Sequence, residues 1–311
     1  MIADWLLTLN GLREGSYIII AVAINLLSVW LMGWRYKIFL GYLKERISLL
    51  NSFWVICTAQ FANYLTPLRA GNVAIRPIAS EMFAGVSSWK SLLATVFELV
   101  IDTSWQIVLV SLILLLVAEN QLLDSLIPKV TIVGTFLLVI MLGLVYHREL
   151  INWILQQRKF FPGKIDRIMA KFELQQEKME EISNQIVQYI SNMRLFLLSS
   201  VPVVINILLQ PLLLQYSGKA FSMSLTYFSS FTIFWISFIV GRLSGIPGGL
   251  GLGDISMGGL LIKAGVAPFL VLKVIILYRI VTMVFPHVLI GGPLFFILSK
   301  RMALRGIAKL E

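Results

Sequence analysis

Apolar residues run along this chain in long stretches that show neither the alternation of strands nor the one-sided stripe of a surface helix. The stretches are Tyr17–Met32, Leu92–Val117, Thr131–Tyr146, Leu195–Leu214, Phe221–Val240 and Phe269–Phe285. Several approach the roughly 20 residues that a helix needs to cross a bilayer. Alternating ten-residue segments of the β-barrel kind are absent. The pattern predicts an all-α polytopic membrane protein, a helical bundle. Two stretches interrupt it. One is Thr66-Pro-Leu-Arg-Ala-Gly-Asn-Val-Ala-Ile-Arg76-Pro77, the other Gly245-Ile-Pro-Gly-Gly-Leu-Gly-Leu-Gly-Asp254. Backbone broken at membrane depth is tolerated only where it is buried in protein or lines a wet cavity, and transporters place such breaks at their binding sites.

Composition sharpens this reading. Of 311 residues 58% are hydrophobic and 14% charged, against about 25% charged in soluble domains. The net charge of +10 is read as positive-inside loops and attraction to anionic headgroups rather than as nucleic-acid binding. The basic clusters Arg35, Lys37, Lys44 and Arg46, then His147 to Arg194, then Lys300, Arg301, Arg305 and Lys309 are expected in the cytoplasm. The stretch with Asp4, Arg13 and Glu14 and the loop from Glu119 to Lys129 are expected outside. The N-terminus is thus expected outside, the C-terminus in the cytoplasm, and the membrane is the plasma (inner) membrane. Met1–Gly15 lacks the basic start of a cleavable signal peptide. Cys57 is the single cysteine and the two histidines, His147 and His287, are far apart, so neither a disulfide nor a zinc site is expected.

The chain is expected to form one integral membrane domain, 1–311, in four parts. Repeat 1 covers about 17–117, a linking helix about 131–146, a cytoplasmic amphipathic segment about 147–194, and repeat 2 about 195–299. Within the third part Ile165, Met169, Phe172, Met179, Ile182, Ile186 and Tyr189 recur at helical spacing, as in a helix packed on the domain or lying on headgroups. A partner-docking helix is the alternative. The repeat rests on matching offsets: Tyr17 to Leu195 and Leu92 to Leu270 are each 178 positions, and Pro67 to Pro247 is 180. With one extra crossing between them, the halves run in opposite senses as inverted repeats, each with a broken or re-entrant hairpin.

Few polar side chains lie within these stretches. Glu98 and Asp102 are four apart and share a helix face. Acids in a membrane helix are expensive and face the protein interior. They are either a proton or headgroup site, or a structural ion pair with Arg76, Arg242 or Arg279. Arg69 and Arg76 flank Gly71 in the first break, where a guanidinium is a good bidentate phosphate ligand; alternatively Arg69 snorkels to the interface. The second break is rich in glycine, with Gly248, Gly249 and Gly251 after Pro247. No Lys-Ser/Thr follows it, so a nucleotide loop is unsupported. Asp254 is placed to cap the following half-helix, which does not exclude proton transfer. No nucleophile–base arrangement and no separate soluble domain is visible, so enzymatic activity is not expected from the residues, and neither is a cofactor or a metal.

These elements resemble the flippase-like domain of the lysylphosphatidylglycerol synthase family. The matching elements are Pro67-Leu-Arg-Ala-Gly71-Asn72 with Arg76 slightly displaced, the pair Glu98 and Asp102, and Pro247-Gly-Gly-Leu-Gly-Leu-Gly-Asp254, with Tyr278-Arg279 and Pro286 further on. Asn72 stands where the family commonly has glutamate, and many members have one more N-terminal helix. The resemblance implies translocation of a phospholipid or polyprenyl-linked lipid between leaflets. Synthase activity is not implied, because the soluble domain that charges lipid in fused members has no counterpart here.

The expected function is a flippase-like lipid transporter. Its partners are membrane lipids with an anionic headgroup and a lipid-modifying enzyme, not nucleic acid. A membrane-embedded lipid transferase and a non-transporting partner of a lipid-modifying synthase are the alternatives. Arg69, Arg76, Arg242 and Arg279 are expected to serve the headgroup, with Glu98, Asp102 and Asp254 pairing with those cations or exchanging protons. The two breaks are expected to approach each other near the middle of the membrane about a pseudo-twofold axis.

Overall fold

The computed structural model describes residues 12–66, 70–116 and 192–307, together with the single positions 184, 188 and 189. The linking helix expected at 131–146, nearly all of the segment 147–194, and both Pro67 and Arg69 lie outside the described residues. Every regular element among the described residues is helical. Four of these helical runs are long and apolar enough to cross a membrane: Glu14–Tyr42, Ser88–Leu112, Met193–Lys219 and Pro268–Ala303. Large apolar side chains lie bare on the outside, among them Ile19, Ile255, Phe269 and Phe296, each about two-thirds or more exposed. A soluble protein rarely leaves so much apolar surface open; a membrane protein gives it to lipid. The chain is a multi-pass, all-α membrane protein.

The described elements run in one order in each half. The first half holds α1 (Leu12–Tyr42), α2 (Leu49–Leu65), α3 (Ala70–Ala84) and α4 (Ser88–Leu116). The second holds α5 (Met193–Lys219), α6 (Tyr227–Leu243), a short 3-10 turn (Pro247–Gly249), α7 (Leu252–Lys263), α8 (Pro268–Arg279), a wide π-helical segment (Ile280–Gly291) and α9 (Gly292–Ile307). In each half one long helix is followed by a broken hairpin, α2–α3 or α6–α7, and then by a further spanning helix.

Local turns repeat as well. Ser48 caps α2 by accepting from the amide of Asn51, and Thr226, 178 positions on, caps α6 by accepting from the amide of Ser229. Both helices have 17 residues. The turn before α2 holds Lys44 at φ 60° and the turn before α6 holds Ser222 at φ 57°, again 178 positions apart. Gly85 and Gly265, both at positive φ and 180 positions apart, precede α4 and α8. The spacing found at the level of apolar runs thus recurs in caps and backbone angles, and it widens by two residues across the hairpins.

The breaks have local causes. Thr66 ends α2 in an extended conformation, φ −121° and ψ 143°, which is what a following proline imposes. After α6 the chain passes through Gly245 at φ 67° before Pro247. Pro268 starts α8 as its first residue, where its missing amide costs nothing. Phe285, before Pro286, leaves helical geometry at ψ 104°. A wide segment of this kind releases backbone carbonyls, and one of them, on Val281, accepts from Asn25 Nδ2 of α1 at 2.7 Å.

The chain divides into two compact units, residues 1–98 with 202–311 and residues 99–201. In the second, Trp105 Nε1 donates to Ser200 Oγ at 2.8 Å and Ser200 donates on to the Phe196 carbonyl at 2.7 Å. In the first, α2 is the central post. The end of the wide segment lies so close to it that a Cβ added at Gly291 would overlap the Cys57 carbonyl, and Gly292 packs beside the Phe61 ring. Phe61 in turn meets Phe295 and Phe296, with ring centroids 5.5 and 6.3 Å away.

The obstacle at Gly291 is backbone, which cannot swing aside as a side chain does. Gly291→Ala should therefore destabilise the protein by about 1–3 kcal/mol or more, the usual range for overpacking. Thermal unfolding in detergent checks this against Gly259→Ala, where nothing lies within 4 Å of the added Cβ.

Candidate functional site

Two polar centres stand beside the two breaks, both within the unit of residues 1–98 and 202–311. The first is built by α1, α3 and α4. Glu98 of α4 accepts from Arg35 Nε of α1 at 3.2 Å through one oxygen, and from Arg76 Nη1 of α3 through the other. All three side chains are at most 3% exposed. Arg76 also donates through Nε to Asn72 Oδ1 at 3.0 Å and lies 5.2 Å over the Tyr36 ring. The Tyr36 hydroxyl joins Ser80 of α3, at 2.7 Å, and Ser91 of α4. One turn of α1 therefore ties together both helices that carry the ion pair.

Asn72 thus supplies Arg76 with a neutral acceptor. Its backbone amide donates to Asn63 Oδ1 at 2.6 Å, and the amide of Gly71 donates to Thr66 Oγ1 at 2.7 Å. These are free donors at the start of α3, and the preceding helix α2 satisfies them with its own side chains.

The second centre is at the glycine break. Asp254, in the first turn of α7, accepts from the amide of Gly251 at 3.1 Å through Oδ2, the capping role read from the sequence. Its other oxygen accepts from Arg279 Nε of α8 at 2.7 Å. Arg279 spreads its remaining donors over the break, Nη1 to the Gly248 carbonyl at 3.2 Å and Nη2 to the Gly249 carbonyl at 3.4 Å. This pair is more open than the first: Arg279 is 23% and Asp254 20% exposed.

The breaks meet. Gly248 has φ +64° and lies so close to Tyr64, in the last turn of α2, that an added Cβ would be 2.7 Å from the tyrosine ring. Beyond Tyr64, with ring centroids 5.8 Å apart, is His287 of the wide segment. It is 6% exposed, and its Nδ1 has no hydrogen-bond partner. The end of the first hairpin's leading helix therefore packs on the second hairpin's turn; Pro67 itself is outside the described residues.

The other expected residues divide as follows. Glu98 and Arg76 come together, which is the ion-pair reading of Glu98. Asp102, one turn further along α4, is half-buried and belongs to the other unit. Arg242 lies 4.5 Å over the Phe238 ring in the last turn of α6. Arg69 is outside the described residues. Pro247, Gly248, Gly249 and Gly251 form the turn after α6, and Gly71 is the second residue of α3. Arg35, part of a basic cluster expected in the cytoplasm, is not a solvated loop charge: α1 continues ten residues past Met32, to Tyr42, and carries Arg35 into the protein interior. The signal was available, since Tyr36, Phe39, Leu40 and Leu43 continue the buried face of α1 at helical spacing. Tyr64 and His287 were not singled out either, because their meeting depends on packing between distant elements.

An all-helical membrane core with two broken hairpins, each placing an arginine–carboxylate pair beside its break, defines a class of integral membrane protein. The chain belongs to the family described as the lysylphosphatidylglycerol synthase TM region, whose model matches residues 3–291. It is also similar to a UPF0104 membrane protein of Methanothermobacter thermautotrophicus, 24% identical over 295 residues, covering 90% of this chain and 80% of that relative.

The two centres should respond differently to loss of a charge. Glu98→Gln leaves two fully buried guanidinium groups facing a neutral amide, and breaking a buried pair costs about 3–5 kcal/mol. Asp254→Asn keeps a capping oxygen at a partly open pair and should cost about 1 kcal/mol or less. Equilibrium unfolding in mixed micelles reads both; equal losses would refute the distinction.

Proposed function

We propose that this protein is a flippase-like transporter that moves an anionic or polyprenyl-linked lipid between the leaflets of the plasma (inner) membrane. Membership of the family supports a membrane core of this type. The observation that carries the finer reading is the meeting of Tyr64 with Gly248, which brings the two broken hairpins together at the partly open Arg279–Asp254 pair. A lipid headgroup needs a polar path through hydrocarbon, and broken helices supply one without exposing unpaired backbone to lipid.

In this reading the two halves run in opposite senses across the membrane, with the N-terminus outside and the basic C-terminus in the cytoplasm. The headgroup phosphate is held at the second break by Arg279, whose planar fork suits a phosphate. Arg242 and Arg69 are the further cations assigned to the headgroup. Arg76 stays in the buried triad with Glu98 and Arg35 and fixes the frame on which the first break is built. Asp102 offers a further carboxylate on α4. The acyl chains remain in lipid beside the bare apolar faces of α7 and α8, where Ile255, Phe269 and Leu272 are exposed. A lipid-modifying enzyme that supplies the lipid is the natural partner, and no cofactor enters the scheme.

Proteoliposomes with fluorescent phosphatidylglycerol in both leaflets, quenched from outside with dithionite, test the proposal. Wild-type protein should make the inner-leaflet pool accessible, whereas Arg279→Gln should lower the rate by at least about tenfold, the loss expected when a hydrogen bond to a charged group is removed. Equal rates in wild type, Arg279→Gln and empty vesicles would overturn the proposal.

A further inference from the structure

Asp254 holds the same two donors that a phosphate at this break would take. Its oxygens lie 2.7 Å from Arg279 Nε and 3.1 Å from the Gly251 amide. A guanidinium beside a free amide at a helix N-terminus is an anion site in general, and carboxylate and phosphate fit it alike. The two anions compete for it, because Arg279 Nε and the Gly251 amide each have one hydrogen to give and Asp254 takes both.

We infer that Asp254 is a tethered competitor for the phosphate diester of a lipid headgroup: it occupies the anion site when no lipid is bound and yields Arg279 and the Gly251 amide when the phosphate enters. This rests on the flippase reading and goes beyond it, since it makes Asp254 oppose binding rather than contribute to it.

Three features carry the inference. The Asp254–Arg279 pair is 20–23% exposed whereas the Arg35–Glu98–Arg76 triad is at most 3% exposed, so only the former is within reach of an entering ligand. The other Arg279 contacts are longer, 3.2 and 3.4 Å to the Gly248 and Gly249 carbonyls, and they hold the fork at the break when Asp254 leaves. The Gly251 amide and Arg279 Nε are brought together by a turn whose Gly248, Gly249 and Gly251 all have positive φ, so the anion site is built by the backbone and does not depend on Asp254 being in it. The tethered acid also provides for release: a site that closes on its own carboxylate expels the lipid on the far side instead of trapping it.

The test is binding of spin-labelled phosphatidylglycerol, against spin-labelled phosphatidylcholine, to the full chain in phosphatidylcholine nanodiscs, read as the motionally restricted fraction. Asp254→Asn, which keeps an oxygen for the Gly251 amide but loses the charge, should bind phosphatidylglycerol about tenfold more tightly than wild type if the pair is closed about nine-tenths of the time. Its leaflet exchange should be slower, because release is lost. Asp254→Ser, with a shorter capping oxygen, should shift binding in the same direction. Binding no tighter than wild type in both variants overturns the competitor role, and if Arg279→Gln still loses its preference for phosphatidylglycerol the flippase site survives that result. No preference in wild type and no effect of Arg279→Gln overturns both. Glycerol 3-phosphate in solution should not displace the labelled lipid at concentrations equal to it; full displacement would assign the site to a soluble phosphate and overturn the lipid assignment.

Discussion

Hydrocarbon offers no hydrogen bonds, so each backbone amide and carbonyl that a broken helix releases must find a partner within the protein. Most of the polar architecture of this protein answers that demand. At the first break, Thr66 and Asn63 of α2 take the amides of Gly71 and Asn72. At the second, Asp254 takes the Gly251 amide and Arg279 takes two carbonyls of the turn. In the wide segment before α9, Asn25 reaches from α1 to the Val281 carbonyl. Each break is therefore tied to a particular neighbouring side chain, and the hairpins are held by pairwise bonds rather than by apolar packing alone.

The same demand separates the two charged centres. The Arg35–Glu98–Arg76 cluster is sealed, joined to three helices, and backed by Tyr36 with its two serines. A buried charge cluster resists rearrangement because losing any partner strands another charge in low dielectric. The Asp254–Arg279 pair is half-open and sits on a turn built of glycine and proline. One centre is sealed and the other partly open, although both use the same chemical groups.

Caps, helix lengths and positive-φ positions recur at spacings of 178 to 180, while the chemistry at the two breaks diverges. The first hairpin closes its break with neutral Thr66 and Asn63. The second uses an acid and adds a cation from α8. Among the described residues of the two breaks, only the second therefore presents an accessible charge pair.

Much of the fold was legible in the sequence because hydrocarbon permits so few backbone solutions. The apolar runs located the described spanning helices. Pro67, Pro247 and the glycines after it marked the breaks, and the 178-residue offset recurred in the turns. Asp254 could be read as a cap because capping is local, within three residues of Gly251. The partners of Arg76, Arg279 and Glu98 were not legible, since apolar periodicity says which face of a helix is buried but not which helix it meets. Arg35 shows the limit most clearly: a charge at the end of an apolar run reads as a loop until tertiary packing supplies Glu98 to receive it. The sequence by itself determined the helices, their breaks and the side chains available to mend them. Only the tertiary structure decided which arginine faces which acid, and that Tyr64 meets Gly248, because these contacts join residues far apart in the chain whose proximity depends on how whole helices pack.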